Sequence, residues 1–135
     1  MHQVNISIHE IFQALSDPFR IRIVHLMIHV GELCLCELSE AMGEPEYKLS
    51  RHMKVLKNAG IITSERDGKW IYHSLVIEQS FLNSIYAGII EFPNSERQSK
   101  EDLKNFNKRK VFRDNGRCRQ QTFNEVFKEK YIALK

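Results

Sequence analysis

The side chains in this sequence best suited to chemistry are three thiols, Cys34, Cys36 and Cys118. Thiolates are strong nucleophiles and soft metal ligands. An odd number of cysteines, in a chain that opens with no export signal, argues against a disulfide framework and for reduced, reactive or metal-binding thiols. The Cys34-x-Cys36 spacing is not the C-x-x-C of a thiol oxidoreductase, and no βαβ pattern surrounds it, so an enzyme is disfavoured. Histidine offers less. His2, His9, His25, His29, His52 and His73 are scattered, and only His25 and His29 stand at the i, i+4 spacing of a zinc pair. With no third ligand evident beside them, they read as packed or half-exposed side chains.

A second concentration is cationic. The chain of 135 residues carries a net charge of +3, but that total hides a division. Residues 1–96 have a net −4 and residues 97–119 a net +6. Within the acidic part, residues 48–57 hold Lys48, Arg51, His52, Lys54 and Lys57 and no acid. A cluster of this kind on one helix face is the electrostatic footprint of a nucleic-acid reader. The later basic stretch, Lys108, Arg109, Lys110, Arg113, Arg117 and Arg119, has two readings: added phosphate contacts with steep salt dependence, or a solvated arm. No run approaches the 18 apolar residues of a membrane span and no cleavable leader is evident. The expectation is a soluble, cytoplasmic protein.

The elements that must position these groups follow from periodicity and punctuation. Ile8, Ile11, Phe12 and Leu15 mark one face of a first helix. Asp17-Pro18 then starts a core helix reaching about His29, and Gly31 ends it. A short helix covers 33–42. After the Glu44-Pro45 turn, a further helix runs over 46–59 with Leu49, Met53 and Leu56 inward and Ser50, Lys54 and Lys57 outward. Asp67-Gly68 between two β-prone runs, 61–66 and 70–75, predicts a hairpin. Leu82, Ile85, Tyr86 and Ile89 mark a last core helix. Residues 91–99 read as a linker, Asn115-Gly116 as a turn, and Phe123, Val126 and Phe127 as a short terminal helix. This is the order of a winged helix-turn-helix: mainly α with a small β-hairpin, with a DNA-binding and dimerisation domain over 1–92 and a basic, cysteine-bearing tail over 93–135. Helix 46–59 would be the recognition helix. Lys48, Arg51, Lys54 and Lys57 would neutralise phosphates, and Ser50 and His52 would reach base edges or sugar. Arg66, Lys69 and Tyr72 would touch the adjacent backbone from the wing.

The run LSRHMKVLKNAGII at 49–62 closely resembles the recognition helix and first wing strand of the ArsR/SmtB family of metal-sensing repressors, and ALSDPFRIRI at 14–23 resembles its opening signature. The resemblance covers about residues 8–90. It implies a homodimer that sits on double-stranded operator DNA and releases it when a metal or metalloid binds. It also implies a dimer interface through Ile8, Phe12, Leu82, Ile85 and Ile89, residues that an intramolecular core would use equally well. The run ELCLCEL at 32–38 looks like the family's box for trivalent arsenic or antimony. In that frame a helix N-terminus would favour thiolate. Ser39 stands where the box has its third cysteine. Cys118, in the context RDNGRC at 113–118, resembles a C-terminal ending of some arsenic-type members. That resemblance implies a three-thiolate site of Cys34, Cys36 and Cys118, the last supplied by either protomer; two thiols plus an exogenous ligand is the alternative. The Asp/His pairs of zinc-sensing members are missing from residues 78–91. On an unbroken helix, residues i and i+2 point apart, so chelation by Cys34 and Cys36 is expected to unwind a helical turn and so loosen DNA. Cadmium, lead or an oxidant remain alternative signals on the same scaffold, and a winged helix that binds a partner protein is a further rival.

Overall fold

The computed structural model describes residues 7–93, 96–114 and 116–118; the terminal run containing Arg119, Phe123, Val126 and Phe127 lies outside them. Nine elements follow in order: α1 (Ile8–Ala14), α2 (Pro18–Val30), β1 (Leu33–Cys34), α3 (Leu35–Met42), α4 (Glu46–Asn58), β2 (Ile62–Asp67), β3 (Trp70–Leu75), α5 (Ser80–Glu91) and α6 (Glu96–Lys110). The sequence signals for α2 act as expected. Asp17 Oδ1 accepts the backbone N–H groups of Phe19 at 2.8 Å and Arg20 at 3.1 Å, with Pro18 opening the helix. Ile23, Val24, Leu26 and Met27 of α2 are all buried, joined by Leu38 and Ala41 of α3, Leu49, Met53 and Leu56 of α4, and Leu82 and Tyr86 of α5. Each such aliphatic burial contributes about 1.5–3 kcal/mol.

The α3–α4 pair is the helix-turn-helix unit, with Gly43 in the left-handed region (φ 67°) closing α3 before Pro45 caps α4. The hairpin pairs Ile62 with Leu75 through to Asp67 with Trp70, and β1 adds to its other edge, giving the antiparallel order β1-β3-β2. No element among the described residues is a helix long and apolar enough to cross a membrane.

Helix α6 forms where the sequence reads as a linker and basic stretch. It lies against α3 and α2. Its inward face carries Ser99, Asp102, Phe106 and Arg109, all buried. The spacing is helical, but only Phe106 is apolar, so hydrophobic periodicity gives no signal. Polar bonds attach it: Arg22 grips Asp102 in a two-pronged pair at 2.6 and 2.8 Å, and Asn105 donates to the Ala41 carbonyl at 3.2 Å. The residues assigned to a dimer interface divide. Ile8 and Phe12 are exposed, Ile85 and Ile89 are half-buried, and Leu82 is consumed by the protomer's own core.

Candidate metal centre and nucleic-acid face

Cys34 ends β1 and is the N-cap of α3, in extended conformation (φ −101°, ψ 163°), while Cys36 lies in the first helical turn. This corrects the expectation that the pair must unwind a helix to converge. Because Cys34 stands outside the helix, its Sγ lies 2.7 Å from that of Cys36 with the first turn intact. Glu37 locks the arrangement, accepting the Cys34 backbone N–H at 3.1 Å in a capping box. Beyond α6, Asp114 and Arg117 exchange backbone hydrogen bonds, and Cys118 Sγ lies 3.2 Å from Cys36 Sγ. The three sulfurs lie within 4.8 Å of one another, all buried, all from one chain and none in a disulfide. Among the described residues this is the one group of three or more His, Cys, Asp or Glu side chains close enough to share an ion. His25 and His29 lie 5.1 Å apart without a third such ligand.

Cations and aromatic rings wall the trio. Trp70 packs on it, and the buried Tyr72 donates its hydroxyl to the Cys118 carbonyl at 2.8 Å. Arg109, with no exposed surface, directs Nη2 to Cys118 Sγ at 3.6 Å and Cys36 Sγ at 3.8 Å. Arg113 spans the fully buried Glu37 at 2.6 and 3.0 Å and the Glu32 carbonyl at 2.9 Å. Outside that wall, Arg117 holds both oxygens of Glu32, at 2.8 and 2.9 Å. These arginines belong to the stretch that reads in sequence as phosphate contacts or a solvated arm. The cluster also reverses the expected ionisation. Hydrogen bonds with Cys118 and Cys36, together with burial, hold the Cys34 thiol far above its ordinary range. At Cys36 the hydrogen bond with Cys118 dominates; joined by burial it prevails over the lowering by the Cys34 hydrogen bond and by Arg109, and the thiol is pushed up to about 12. Cys34 and Cys36 therefore hold their protons at neutral pH.

The cationic helix α4 presents Ser50, Arg51, Lys54 and Lys57 to solvent. Lys48 is half-buried, paired with Glu44 at 3.2 Å and lying over the Phe19 ring at 4.6 Å. His52 is held as well: its ring sits 4.9 Å from that of Phe19, Arg20 Nη1 approaches its Nδ1 at 3.3 Å, and burial keeps it below its usual pKa. Arg66 and Lys69 are exposed on the hairpin. Between α4 and the hairpin lies a cleft of about 240 Å³ lined by Ser50, Lys54 and Lys57 on one side and Ser64 and His73 on the other. Tyr72 does not join them. Alternation along β3 sends Ile71 and His73 to the cleft and Trp70 and Tyr72 to the cysteines, so Tyr72 is corrected from a wing contact to a wall of the thiol site. Residues that the sequence reading missed here are Arg20, Glu37, Trp70, Arg109 and the pairings of Arg113 and Arg117. The strand alternation was the available signal for Trp70; the arginine partners are set only by the tertiary fold.

Residues 17–64 match the family described as bacterial regulatory protein, arsR family. An arsenic resistance transcriptional regulator of Pseudomonas putida is 35% identical over 95 residues, covering 70% of this chain and 73% of that protein. The arsenical resistance operon repressor of Escherichia coli is 36% identical over 66 residues, covering 49% of this chain and 56% of that one. A cadmium resistance transcriptional regulatory protein of Listeria innocua is 36% identical over 83 residues, covering 62% and 69%. This chain thus belongs to the ArsR family of bacterial regulatory proteins, winged helix-turn-helix transcriptional regulators and not enzymes.

Proposed function

We propose that the protein is a homodimeric, cytoplasmic repressor whose operator affinity falls when trivalent arsenic or antimony binds Cys34, Cys36 and Cys118 of one protomer. The observation that carries this reading is the buried trio itself, three sulfurs within 4.8 Å brought from two distant segments. Trivalent arsenic is thiophilic and suits three thiolates in a pyramid. The raised Cys34 and Cys36 thiols suit it further. Neutral arsenous acid and three thiols condense to three arsenic–sulfur bonds and three waters, so the thiol protons leave on the displaced hydroxyls and none is released to solvent. Ser50, Arg51, Lys54 and Lys57, with Arg66 and Lys69 from the wing, supply the DNA contacts, and Lys48 and His52 support them from the edge of α4. Two copies joined through the exposed Ile8 and Phe12 and the outer face of α5 would present two such helices to successive major grooves.

The relatives named for cadmium resistance support a second reading, and one observation favours it. A divalent cation with three thiolates is a monoanion, and the buried Arg109 guanidinium lies 3.6–3.8 Å from two of the sulfurs to balance it. Fluorescence anisotropy of the reduced protein on its own upstream DNA, titrated with arsenite beside a Cys118→Ser variant, tests the proposal. Release by the native protein and not by the variant is expected. Equal release by both overturns the three-thiol site, and release by cadmium but not arsenite favours the second reading.

A further inference from the structure

The hairpin has two faces with different attachments. Ser64, Ile71 and His73 line the cleft beside the exposed lysines of α4. On the opposite face the register sets Glu65 against Tyr72 and Asp67 against Trp70, and the segment bearing Cys118 covers this face. Arg117 reaches three carboxylates here. It holds Glu32 in a two-pronged pair, Glu65 at 3.4 Å and Asp67 at 3.6 Å, with its guanidinium 4.3 Å from the Tyr72 ring centroid. Tyr72 is bound in turn to the Cys118 carbonyl. One side chain therefore joins the residue beside a site thiol, the acid beside the cysteine box, and both acids of the wing.

From this juxtaposition we infer that Arg117 is a positioning residue that couples the thiol site to the DNA-binding wing. The inference rests on the functional reading above. Glu65 and Asp67 neighbour Arg66 and Lys69, the wing's own cations, and unneutralised carboxylates there oppose DNA phosphates. Arg117 offsets them only while the segment bearing Cys118 keeps its place, and the Cys118 sulfur ties that place to Cys34 and Cys36. Filling the trio shifts Cys118, and Arg117 passes the shift to the wing as lost neutralisation and lost grip. No route through an unwound α3 is required.

The test separates ligand binding from coupling. Trp70, the only tryptophan in the chain, packs on the cysteines and reports arsenite directly by its fluorescence, while anisotropy on labelled upstream DNA reports release. For Arg117→Gln, the arsenite titration at Trp70 should stay within about twofold of native, while the arsenite-induced loss of DNA affinity shrinks by about tenfold. Arg117→Lys, which restores charge without the fork, should recover part of the response. Glu65→Gln with Asp67→Asn, leaving Arg117 in place, should uncouple in the same way. Native-like release by both Arg117→Gln and the double variant overturns the inference. Loss of arsenite binding in Arg117→Gln also overturns it, because Arg117 would then build the site and not couple it. Failure of the native protein to release DNA with arsenite bound at Trp70 overturns the functional reading instead.

Discussion

The winged core and the segment after it are held by opposite means. Residues 11–86 close over a continuous apolar core in which Ile23, Leu38, Leu49, Leu56 and Ile61 have no exposed surface. The segment 96–118 adds Phe106 to that core, with Leu103 half-buried against it, buries Phe112, and otherwise attaches through Arg22–Asp102, Asn105 to the Ala41 carbonyl, Arg113–Glu37 and Arg117–Glu32. Apolar packing is close to all-or-none, because a displaced side chain leaves a void that nothing fills. Ion pairs and single hydrogen bonds are directional, and with the Glu37 and Asp102 carboxylates buried each depends on one partner in one geometry. The DNA-reading scaffold is thus built to be rigid, while the part that delivers the third thiol is built to be adjustable. A sensor needs that division.

Breaking each region in turn should show it. Leu56→Ala removes a fully buried anchor between recognition helix and core and should cost about 2–5 kcal/mol of stability, read as one cooperative shift in a urea unfolding curve. A shift of that size shared by α2 and α4 supports the account; separate early loss of the α4 signal goes against it.

Proton count sharpens the comparison next, because it asks whether the arm's thiol takes part. The raised thiols of Cys34 and Cys36 are protonated at neutral pH. A divalent cation must expel those protons, so its affinity should climb with pH throughout the range below the thiol values, by about tenfold per proton per pH unit. Three protons give a steeper slope than two, so Cys118→Ser should lower the cadmium slope by one. Arsenous acid takes the protons away as water and should bind with nearly flat dependence across neutral pH. A steep fall in arsenite affinity with rising pH would show that the thiols are already ionised, because binding would then take protons up.

Asp102→Asn should be milder. It leaves Arg22 partly solvated and should cost about 1–3 kcal/mol, confined to the arm. Hydrogen exchange should speed up in α6 while α2 and α4 keep their protection. Uniform acceleration would mean that the arm is part of the core's cooperative unit. The smallest effect is expected from Lys54→Ala, which should weaken DNA binding on all sequences alike and reduce the salt slope by about one, as for a single phosphate contact.

The same contrast explains what could be read in advance. The core helices announce themselves through apolar spacing, Asp17-Pro18 marks the start of α2, and Asp67-Gly68 marks the hairpin; all depend on local rules. Helix α6 hides because its buried stripe is Ser99, Asp102, Phe106 and Arg109, whose partners lie some 70 or more residues away in three of its bonds. Cys34 and Cys36 are visible as a pair, but their convergence depends on Cys34 being a strand end and helix cap instead of a helical residue. Tyr72 was placed on the wrong face because its type suits a DNA contact, whereas its strand parity, shared with Trp70, puts it against Cys118. Of the thiol site, the ligand atoms were legible; Arg109 beside the sulfurs and the Arg113–Glu37 pair behind Cys34 were not.

The central claim is that the arm of one protomer completes a three-thiol site, and X-ray absorption at the arsenic edge of the arsenite-loaded protein tests it most directly. The account predicts an arsenic bound by three sulfurs and no oxygen, with one sulfur replaced by oxygen in Cys118→Ser. Two sulfurs and an oxygen in the native protein would contradict it.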